Sequence, residues 1–459
     1  MAAEASPRYD VLVLGGGSGG YACALRCAQL GLRVALIERD KLGGTCLHRG
    51  CIPTKALLHA AEVADTARDG ARFGVNSSVE SIDMPAVLRY QQGVVSRLHK
   101  GLQGLVSAAA IDYIEGVGEV TSATTVRVGD ETLTGRHLVL ATGSRARSLP
   151  GLQIGGRVMT SDAALGLTHV PTSVIVLGGG VIGVEFASVF RSFGAAVTVI
   201  EALPTLVPAE EPSISKALER AFRKRGIECR TNARFAGVDQ DEAGVAVRLE
   251  DGTTLNAEVL LVAVGREPVS AGMGFEAAGV ATDRGFVPTD ERLRTNVPGV
   301  YAVGDLVPGL QLAHRGFAHG VFVAEDIAGL APAPVLDRTI PKVTYCDPEI
   351  ASVGLTESAA CAEYGDVQTY SYNLGGNGKS QILGTSGFVM VVRAVDGPVV
   401  GIHMIGARMG EQIGEAQLVV GWDAMPEDVA PLVHAHPTQN EALGEAHLAL
   451  AGKPLHAHA

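Results

Sequence analysis

The strongest constraint on the fold is a glycine-rich segment that occurs twice. Residues 9–40 read YDVLVLGGGSGGYACALRCAQLGLRVALIERD, and residues 172–203 read TSVIVLGGGVIGVEFASVFRSFGAAVTVIEAL. Each copy has a short apolar run, a glycine turn, an amphipathic stretch and a second apolar run that ends in an acid. This order predicts a strand, a helix and a second strand. In both copies the first glycine and the terminal acid are 23 residues apart.

Each residue type in this pattern has a physical role at a dinucleotide. A single G-x-G-x-x-G is weak evidence, but two copies, each followed by an acid at the expected distance, predict two dinucleotide sites. The first glycine permits a tight turn, the second lets the pyrophosphate approach the backbone, and the third lets the helix pack on the strand. The phosphates then lie at a helix N-terminus, which favours anions, and the acid accepts from ribose hydroxyls. The residues are Gly15, Gly17, Gly20 and Glu38 in the first copy, and Gly178, Gly180, Gly183 and Glu201 in the second.

Later segments complete an α/β architecture. Residues 138–145 (LVLATGSR) and 260–267 (LLVAVGRE) predict apolar strands that end in glycine turns, and each is expected to close one dinucleotide site. The proline-rich stretch at 330–340 is typical of a linker. After it, residues 387–407 alternate and predict antiparallel strands joined at Asp396-Gly397. The fold class is therefore α/β, with two Rossmann-like domains and a C-terminal α+β domain.

Composition narrows the classes of function. The 459 residues have a formal net charge of −12, which argues against nucleic-acid binding and would favour a basic protein partner. No apolar run approaches the ~20 residues of a membrane helix, and residues 1–7 lack the pattern of a cleaved signal. We therefore expect a cytoplasmic protein or a mature organellar form, with no membrane association. Seven cysteines are too few for a secreted disulfide framework.

The segment GGTCLHRGCIPTKALL at residues 43–58 holds two of these cysteines, five apart, at the predicted start of a helix. A disulfide between Cys46 and Cys51 closes a small ring and so adds little stability. The helix N-terminus and Lys55 are expected to lower the pKa of both thiols, which makes a thiol reactive. Metal ligation and two inert core cysteines remain as alternatives. Cys23 and Cys27, four apart on the first helix, are expected to face the sheet as core residues.

These residues resemble a known family. GGTC-x4-GC-x-P-x-K after a glycine-rich unit is similar to the pyridine nucleotide-disulfide oxidoreductases with a redox-active cysteine pair. The resemblance covers essentially the whole chain. It continues in four further segments: RTNVPGVYAVGDL (294–306), QLAH (311–314), VTYCDPEIASVG (343–354) and HAHPTQNEA (434–442). It implies a glutathione-reductase-like fold with four parts: an FAD-binding domain at 1–150 and 269–334, an NAD-binding domain at 151–268, and a dimerisation domain at 335–459.

The resemblance also implies roles for single residues. Cys46 would be the exchange thiol and Cys51 the inner thiol, while Asp305 would bind the FAD ribitol and Lys55 would pair with Glu185. Val181 would gate the nicotinamide face of the flavin. The remaining cofactor-binding residues would be Gly44, Thr45, Gly118, Thr142, Gly143, Ser144, Leu312, Ala313 and His314 for FAD, and Ile182 and Gly265 for NAD. One FAD would bind non-covalently to each subunit, and no metal is expected.

The H-P-T-x-x-E segment carries the expected proton acceptor. Exchange between thiols and disulfides needs a base, and histidine titrates near neutral pH. Glu441 follows His436 by five residues and could orient its ring. The resemblance implies a cis bond before Pro437 and a homodimer in which His436 reaches the cysteines of the other subunit.

Three observations narrow the reaction that the resemblance implies. Glu201 is followed by no arginine in EALPTL, which favours NAD over NADP. No cysteine follows Cys361, so a C-terminal redox pair is missing. CIPTK and HPTQNEALGEAHLAL are similar to actinobacterial members that oxidise dihydrolipoamide with NAD. Expected partners are lipoyl domains and the basic subunit-binding domain of a 2-oxo-acid dehydrogenase acyltransferase core, or the glycine cleavage system.

Two other functions remain open. The first is NADH-dependent reduction of another disulfide or of a quinone. The second is a non-catalytic flavoprotein scaffold, which would be expected to lack at least one of Cys46, Cys51, His436 and Glu441. All four are present.

Overall fold

Residues 8–456 are described by a computed structural model. The helices and strands of the first part of the chain are β1 (Tyr9–Leu14), α1 (Ser18–Gln29), β2 (Val34–Glu38), α2 (Gly44–Arg49), α3 (Cys51–Asp69), α4 (Met84–Ala108), β3 (Asp112–Glu115), β4 (Gly118–Ser122), β5 (Thr125–Val128), β6 (Glu131–Leu140), β7 (Ser144–Ala146), β8 (Val158–Thr160), α5 (Ser161–Ala164), β9 (Ser173–Leu177), α6 (Val181–Phe193), β10 (Ala196–Ile200), α7 (Pro212–Lys224) and β11 (Ile227–Arg230). Those of the second part are β12 (Phe235–Gln240), β13 (Val245–Leu249), β14 (Thr254–Ala257), β15 (Val259–Val262), β16 (Arg266–Pro268), β17 (Val300–Ala302), α8 (Ala313–Ile327), β18 (Lys342–Thr344), β19 (Glu349–Gly354), α9 (Glu357–Tyr364), β20 (Val367–Asn373), α10 (Gly378–Leu383), β21 (Phe388–Ala394), β22 (Val399–Gly406), α11 (Met409–Gly421), α12 (Pro426–Val429) and α13 (Glu441–Leu450).

The chain divides into two units. The first comprises residues 8–56, 85–147 and 265–337, and the second comprises residues 57–84, 148–264 and 338–456. The predicted domain ranges that begin at residue 1 and end at residue 459 extend beyond the described residues at both termini. The four-part domain division stays a prediction.

The first unit contains a seven-stranded sheet in the order β3-β2-β1-β6-β5-β4, with β17 paired to β6. Strand β6 has two roles, because its first half pairs antiparallel with β5 and its second half pairs parallel with β1. The apolar runs of β1, β2 and the end of β6 are buried on both faces, as is typical of parallel strands covered by helices. Cys23 and Cys27 lie in this core with no exposed surface, so the prediction that they are core residues is confirmed.

The second unit contains a parallel sheet and an antiparallel sheet as its two larger layers. The parallel sheet has the order β11-β10-β9-β15-β8 and holds the second glycine-rich segment. The antiparallel sheet has the order β18-β19-β22-β21-β20. Its hairpin joins β21 to β22 through Asp396, which has a φ of 54°, so the predicted turn and strands are confirmed. A smaller antiparallel sheet contains β12, β13 and β14.

The fold class is the predicted one: a mixed α/β chain with two glycine-rich β-α-β units and a C-terminal α+β portion. The α+β portion follows the proline-rich stretch and begins with β18. Among the helices of residues 8–456, none has both the length and the apolar composition needed to cross a bilayer.

Candidate active site

The first glycine turn leaves open space at one glycine and none at the other two. Gly15 has a φ of 110°, a conformation that favours glycine. A Cβ on Gly15 would overlap the carbonyl oxygen of Ala141, and one on Gly20 would overlap the carbonyl oxygen of Gly15. A Cβ on Gly17 would meet nothing within 4 Å. Gly15 and Gly20 therefore serve the packing of the turn, whereas Gly17 borders space that a ligand can use.

The second glycine turn repeats this geometry. Gly178 has a φ of 111°, and a Cβ on Gly183 would overlap the carbonyl oxygen of Gly178. A Cβ on Gly180 would again meet nothing within 4 Å. In each β-α-β segment, the middle glycine immediately precedes a helix of at least 12 residues. The unpaired N–H groups of these two helix N-termini suit a phosphate.

The glutamate at the end of each β-α-β segment holds the glycine turn of the same segment by hydrogen bonds. Glu38 accepts a hydrogen bond from the N–H of Gly16 at 2.7 Å, and Glu201 accepts one from the N–H of Gly179 at 2.7 Å. The second oxygen of each carboxylate accepts from the backbone N–H two residues further on, at 2.8 Å in both cases. A carboxylate oxygen has two lone pairs, so each acid can still accept a hydrogen bond from a ribose hydroxyl.

The parallel sheet of the second unit places Arg230 beside Glu201. The residues that directly follow Glu201 in the sequence gave no sign of this arginine. The N–H of Glu201 donates to the carbonyl oxygen of Arg230 at 2.8 Å. The Arg230 Nε lies 2.8 Å from a carboxylate oxygen of Glu228. The positive charge at this edge is therefore engaged by a neighbouring carboxylate of the same strand. Only strand pairing, and not the sequence after Glu201, could have revealed it.

Cys46 and Cys51 lie on two helices. Cys46 is the third residue of α2, and Cys51 is the first residue of α3. Gly50 between them has φ −140° and ψ −113°, which is not helical. The prediction of a single helix is therefore wrong. Glycine has a low helix propensity, and this is the signal that could have indicated the break.

Helix α2 begins directly on the first glycine turn. Gly44 has a φ of 58°, and a Cβ there would lie 2.7 Å from the Cα of Gly17. Only glycine permits this approach, and Cys46 follows two residues later. Thr45 lies beside the same region, with its hydroxyl 3.5 Å from the carbonyl oxygen of Ser144. The cysteine pair is thus placed next to the turn that would hold a pyrophosphate.

The side chains of Cys46 and Cys51 are hydrogen-bonded to each other. The two side chains are partly exposed and are not joined by a disulfide. A hydrogen bond with Cys51 and burial raise the pKa of Cys46, while the charge of Lys55 lowers it. The net shift is upward, so the expectation of a lowered pKa is wrong for Cys46. The physical reason is that the hydrogen bond with the second sulfur and burial together outweigh the charge of Lys55.

Asp305 is held by residues that are far away in the sequence. It lies in the short turn Gly304–Leu306, and its Oδ2 accepts from the Ser144 hydroxyl at 2.5 Å. Arg266 donates to that hydroxyl and to the Ser144 carbonyl oxygen, both at 2.7 Å. Its side chain is 12% exposed and lies 3.9 Å from the carboxylate. The structure brings the predicted residues Ser144 and Asp305 together, and it adds Arg266, which the sequence interpretation did not assign to the site.

A buried histidine supports the same turn. His319 on α8 is 2% exposed, and its Nδ1 accepts from the N–H of Gly304 at 3.3 Å. Burial and the charge of Arg315 lower the pKa of His319 to about 4, so the ring is neutral at neutral pH. The sequence interpretation missed this residue, because nothing in its spacing connects it with Asp305.

Most other predicted flavin-site residues lie close to these elements. Thr142 donates its hydroxyl to the carbonyl oxygen of Val269 at 2.5 Å, and the carbonyl oxygen of Gly143 accepts from the N–H of Val269 at 2.9 Å. Helix α8 carries Ala313 and His314 in its first turn, directly after Leu312. The same helix packs on α1, since a Cβ on its Gly316 would lie 3.3 Å from the backbone nitrogen of Gly19. A Cβ on Gly118, in contrast, would meet core side chains of β1 and β2, so this residue lies in the core packing.

In the second unit, α6 carries the predicted nucleotide residues. Val181 and Ile182 begin the helix, and the Val181 side chain is 43% exposed. Glu185 is 2% exposed and accepts from the N–H of Tyr345 at 2.9 Å. Gly265 belongs to the first unit, has a φ of 107° and accepts from the N–H of Arg147 at 3.0 Å. The predicted pairing of Lys55 with Glu185 stays a prediction.

His436 and Glu441 form a hydrogen-bonded pair. The His436 Nδ1 lies 2.8 Å from Glu441 Oε1, and the N–H of Thr438 donates to Oε2 at 2.8 Å. Although partial burial opposes it, these two hydrogen bonds lower the pKa of Glu441, so the carboxylate is charged at neutral pH. The peptide bond before Pro437 is cis, as the resemblance implied. The His436 side chain is 78% exposed, so its Nε2 can reach a reactant.

Potential metal ligands among residues 8–456 are the side chains of His, Cys, Asp and Glu. Within residues 8–456, no group of three or more His, Cys, Asp or Glu side chains is arranged to hold a metal ion.

Comparison with known proteins identifies the family. Residues 9–320 match the profile of the pyridine nucleotide-disulphide oxidoreductases, and residues 340–447 match the dimerisation domain of that family. The chain belongs to the pyridine nucleotide-disulphide oxidoreductases. It is accordingly an oxidoreductase, and the family uses a flavin and a pyridine nucleotide.

Individual relatives place the chain within the family. It is 41% identical to dihydrolipoyl dehydrogenase from Bacillus subtilis (strain 168), over 98% of this chain and 99% of that protein. The crystal structure of LpdA from Mycobacterium tuberculosis superposes with a TM-score of 0.90 at 26% identity, covering 96% of this chain and 99% of that one. The HOCl-induced flavoprotein disulfide reductase RclA from Escherichia coli, in a Cu(II) complex, gives a TM-score of 0.87 at 27% identity, covering 97% and 100%.

Proposed function

We propose that this protein is a dihydrolipoyl dehydrogenase, which oxidises protein-bound dihydrolipoamide to lipoamide and reduces NAD+ to NADH. The observation that carries the proposal is the cysteine pair on α2 and α3, placed against the first glycine turn. It stands in a chain that matches a dihydrolipoyl dehydrogenase at 41% identity over nearly its full length. The presence of His436 paired with Glu441 supports catalysis over a scaffold role, since an inert flavoprotein has no need of a base.

The first unit fits FAD. Gly17 borders open space at a helix N-terminus, and Glu38 retains acceptor capacity for a ribose. Asp305, fixed by the Ser144 hydroxyl, could accept from the ribitol chain. We propose that residues 1–150 and 269–334 form the FAD-binding domain, with one non-covalent FAD in each subunit. The flavin would supply the relay that accepts an electron pair from the dithiol and passes it to the nicotinamide.

The second unit fits a pyridine nucleotide, and we propose NAD. Gly180 and the start of α6 would receive the pyrophosphate, and Glu201 would bind the ribose hydroxyls. A 2′-phosphate would meet the negative charge of Glu201, while the Arg230 guanidinium is engaged by Glu228. Residues 151–268 would form this domain, with Val181 gating the nicotinamide face.

The thiols and the histidine divide the chemistry at the substrate. In the oxidised enzyme, Cys46 and Cys51 form a disulfide, and a thiolate of dihydrolipoamide attacks Cys46, which breaks the disulfide and releases Cys51 as a thiolate. His436 takes the proton from the attacking thiol, and Glu441 stabilises the resulting imidazolium. The second substrate thiol then displaces Cys46, so lipoamide leaves and the enzyme keeps two thiols. That electron pair would leave through Cys51 with one proton and reach NAD+ as a hydride, while the second proton is released and the Cys46–Cys51 disulfide re-forms.

Assembly follows from the match to the dimerisation domain. We propose a homodimer built through residues 335–459, in which His436 serves the cysteines of the partner subunit. Lipoyl domains would deliver the substrate, and the net charge of −12 suits a basic subunit-binding domain of a 2-oxo-acid dehydrogenase acyltransferase core. We propose action in the cytoplasm, where free thiols are kept reduced.

Substrate comparison tests the proposal. The purified protein is supplied with NAD+ and dihydrolipoamide, and in parallel with NADH and lipoamide, glutathione disulfide, mycothiol disulfide or a quinone. We expect lipoamide and dihydrolipoamide to give a kcat/KM at least about tenfold above the others. The similarity to RclA favours reduction of another disulfide as the second candidate, and a higher kcat/KM with another acceptor would replace the first proposal with it.

A further inference from the structure

A second histidine–glutamate pair lies beside the first. His434 Nε2 lies 2.7 Å from Glu415 Oε1 on helix α11. The other oxygen of Glu415 accepts from the side-chain amide of Asn440. His434 precedes His436 by two residues, and Asn440 immediately precedes Glu441. One carboxylate therefore holds both ends of the segment that carries His436.

Burial distinguishes the two histidines. The His434 side chain is 13% exposed and that of Glu415 is 25% exposed, whereas the His436 side chain is 78% exposed. A Cβ on Gly444 would lie 2.6 Å from His434 Nδ1, so the His434 ring lies directly against α13. His434 is thus fixed between α11 and α13. His436 is open to the surface, and its hydrogen bond is to Glu441.

The hydrogen bond between His434 and Glu415 also affects the protonation of the histidine. The hydrogen bond that His434 donates to Glu415 raises the pKa of His434, burial opposes this, and the charges of Glu415 and Glu441 add to the increase. Hydrogen bonds between charged partners are shorter and stronger than neutral ones. His447 on α13 also faces this pair, and burial lowers its own pKa. The contact with Glu415 therefore favours the protonated form of His434 and fixes its ring against α11.

We propose that Glu415 is a positioning residue for His436. It anchors His434 and Asn440 together, and so holds the exposed ring of His436 and its partner Glu441 where a proton can be transferred. The proposal rests on the proposed function, because it takes His436 as the base for the dithiol. Without Glu415, the segment would lose this contact at both ends and the exposed ring would sample more positions. A misplacement of about 1 Å can lower a rate by up to about a hundredfold.

Activity measurements separate positioning from support of the fold. We expect Glu415→Ala to lower kcat for dihydrolipoamide about ten- to hundredfold. Glu415→Gln should lose less, because its amide oxygen can accept from one of the two partners. Reduction of an artificial dye by NADH should stay within about twofold, since the dye takes electrons without a dithiol. Glu411→Ala, an exposed glutamate one turn earlier on α11, is the matched control and should leave both rates unchanged.

A double-mutant cycle tests the coupling. If Glu415 acts through His434, then Glu415→Ala combined with His434→Ala should lose little more than the larger single loss. Glu411→Ala combined with His434→Ala should simply add. Equal losses of dihydrolipoamide and dye activity in Glu415→Ala would show that Glu415 only supports the fold and would overturn the proposal, as would dihydrolipoamide turnover within twofold of wild type.

A measurement without substrate keeps this test separate from that of the proposed function. Amide hydrogen exchange of residues 434–440 should speed up in Glu415→Ala and not in Glu411→Ala, since local opening follows from loss of the anchor. Unchanged exchange contradicts the anchoring role, whatever the substrate is. A wild-type enzyme that ignores dihydrolipoamide while Glu415→Ala still loosens the segment would contradict the proposed function instead.

Discussion

At the scale of single residues, Cys46 and Cys51 have different surroundings although the sequence presents them as a pair. Cys46 belongs to α2, which begins against Gly17, while Cys51 opens α3 one helical turn before Lys55. The hydrogen bond with Cys51 and burial raise the pKa of Cys46. We expect Cys51 to carry the charge in the reduced pair, because it stands at the N-terminus of α3 one turn before Lys55.

This asymmetry predicts different spectra for two matched variants. Cys46→Ser should keep a Cys51 thiolate, and with it a long-wavelength absorbance of the flavin-loaded enzyme, while dihydrolipoamide turnover is lost. Cys51→Ser should lose both. The measurement is an anaerobic absorbance titration next to a turnover assay. Identical spectra for the two variants would contradict the assignment of Cys51 as the inner thiol.

A second prediction at this scale concerns the coenzyme. Because Glu201 carries a negative charge where a 2′-phosphate would lie, kcat/KM for NAD should exceed that for NADP at least about tenfold, or about 1.4 kcal/mol. Glu201→Arg should narrow the gap. Glu201→Gln is the matched control, since it removes the charge while its amide oxygen can still accept from the N–H of Gly179 or of Leu203. Equal use of both coenzymes by the wild type would contradict this interpretation of the second unit.

At the scale of elements, the glycine turns predict a contrast within one helix N-terminus. Gly180→Ala adds a methyl group where nothing lies within 4 Å, so thermal stability and flavin content should stay near wild type. The same methyl group occupies the predicted path of the pyrophosphate, so KM for NAD should rise about tenfold or more. Gly183→Ala places its methyl group on the carbonyl oxygen of Gly178 and should lower Tm by several degrees. Equal behaviour of the two variants in melting and in NAD kinetics would contradict the division of roles.

Sequence patterns predicted the elements whose periodicity is local. Strands β1, β2, β9 and β10, both glycine turns and the hairpin at Asp396 follow from runs of apolar residues and from turn chemistry. The break at Gly50 was missed, because one glycine inside a helical pattern is often tolerated. The contact between His436 and Glu441 could also be predicted, because the two residues are only five positions apart in the sequence.

Contacts between distant segments could not be predicted in this way. Arg266 reaches Ser144 across 122 residues, and Glu415 reaches His434 across 19. Such contacts depend on how strands pair and helices pack, which no window of sequence encodes. Arg266 and Glu415 gave no signal beyond their charge, and His319 gave none beyond its residue type. Sequence reasoning therefore predicted the chemical groups, but not the residues that hold them in position.

At the scale of the whole molecule, the position of His436 raises the question of which cysteines it serves. The exposed ring and the matched dimerisation domain favour a base that acts across a twofold interface. In that arrangement, every active site takes Cys46 and Cys51 from one chain and His436 from the other. A twofold dimer has two such sites related by symmetry.

Mixed dimers test this arrangement. Homodimers of Cys46→Ser and of His436→Ala should each be nearly inactive with dihydrolipoamide, because each lacks one function at both sites. A mixed dimer has one intact site, which takes its cysteines from the His436→Ala chain and its histidine from the Cys46→Ser chain. Random re-assortment makes about half of the dimers mixed, so about a quarter of wild-type activity should return. If mass spectrometry shows that chains have exchanged and no activity returns, His436 serves its own chain's cysteines.

The pH dependence of the His436→Ala homodimer checks the chemical role of the same residue. Free thiols ionise with a pKa of about 8.5, so at pH 9 the dithiol can lose its proton to water and needs the histidine less. The loss of kcat/KM relative to wild type should therefore be larger at pH 7 than at pH 9. Glu441→Gln should show the same trend with a smaller loss, because it keeps the ring in place but removes the charge that stabilises the imidazolium. A loss in His436→Ala that does not change with pH would mean that the ring positions the substrate and does not take its proton, even if mixed dimers recover activity.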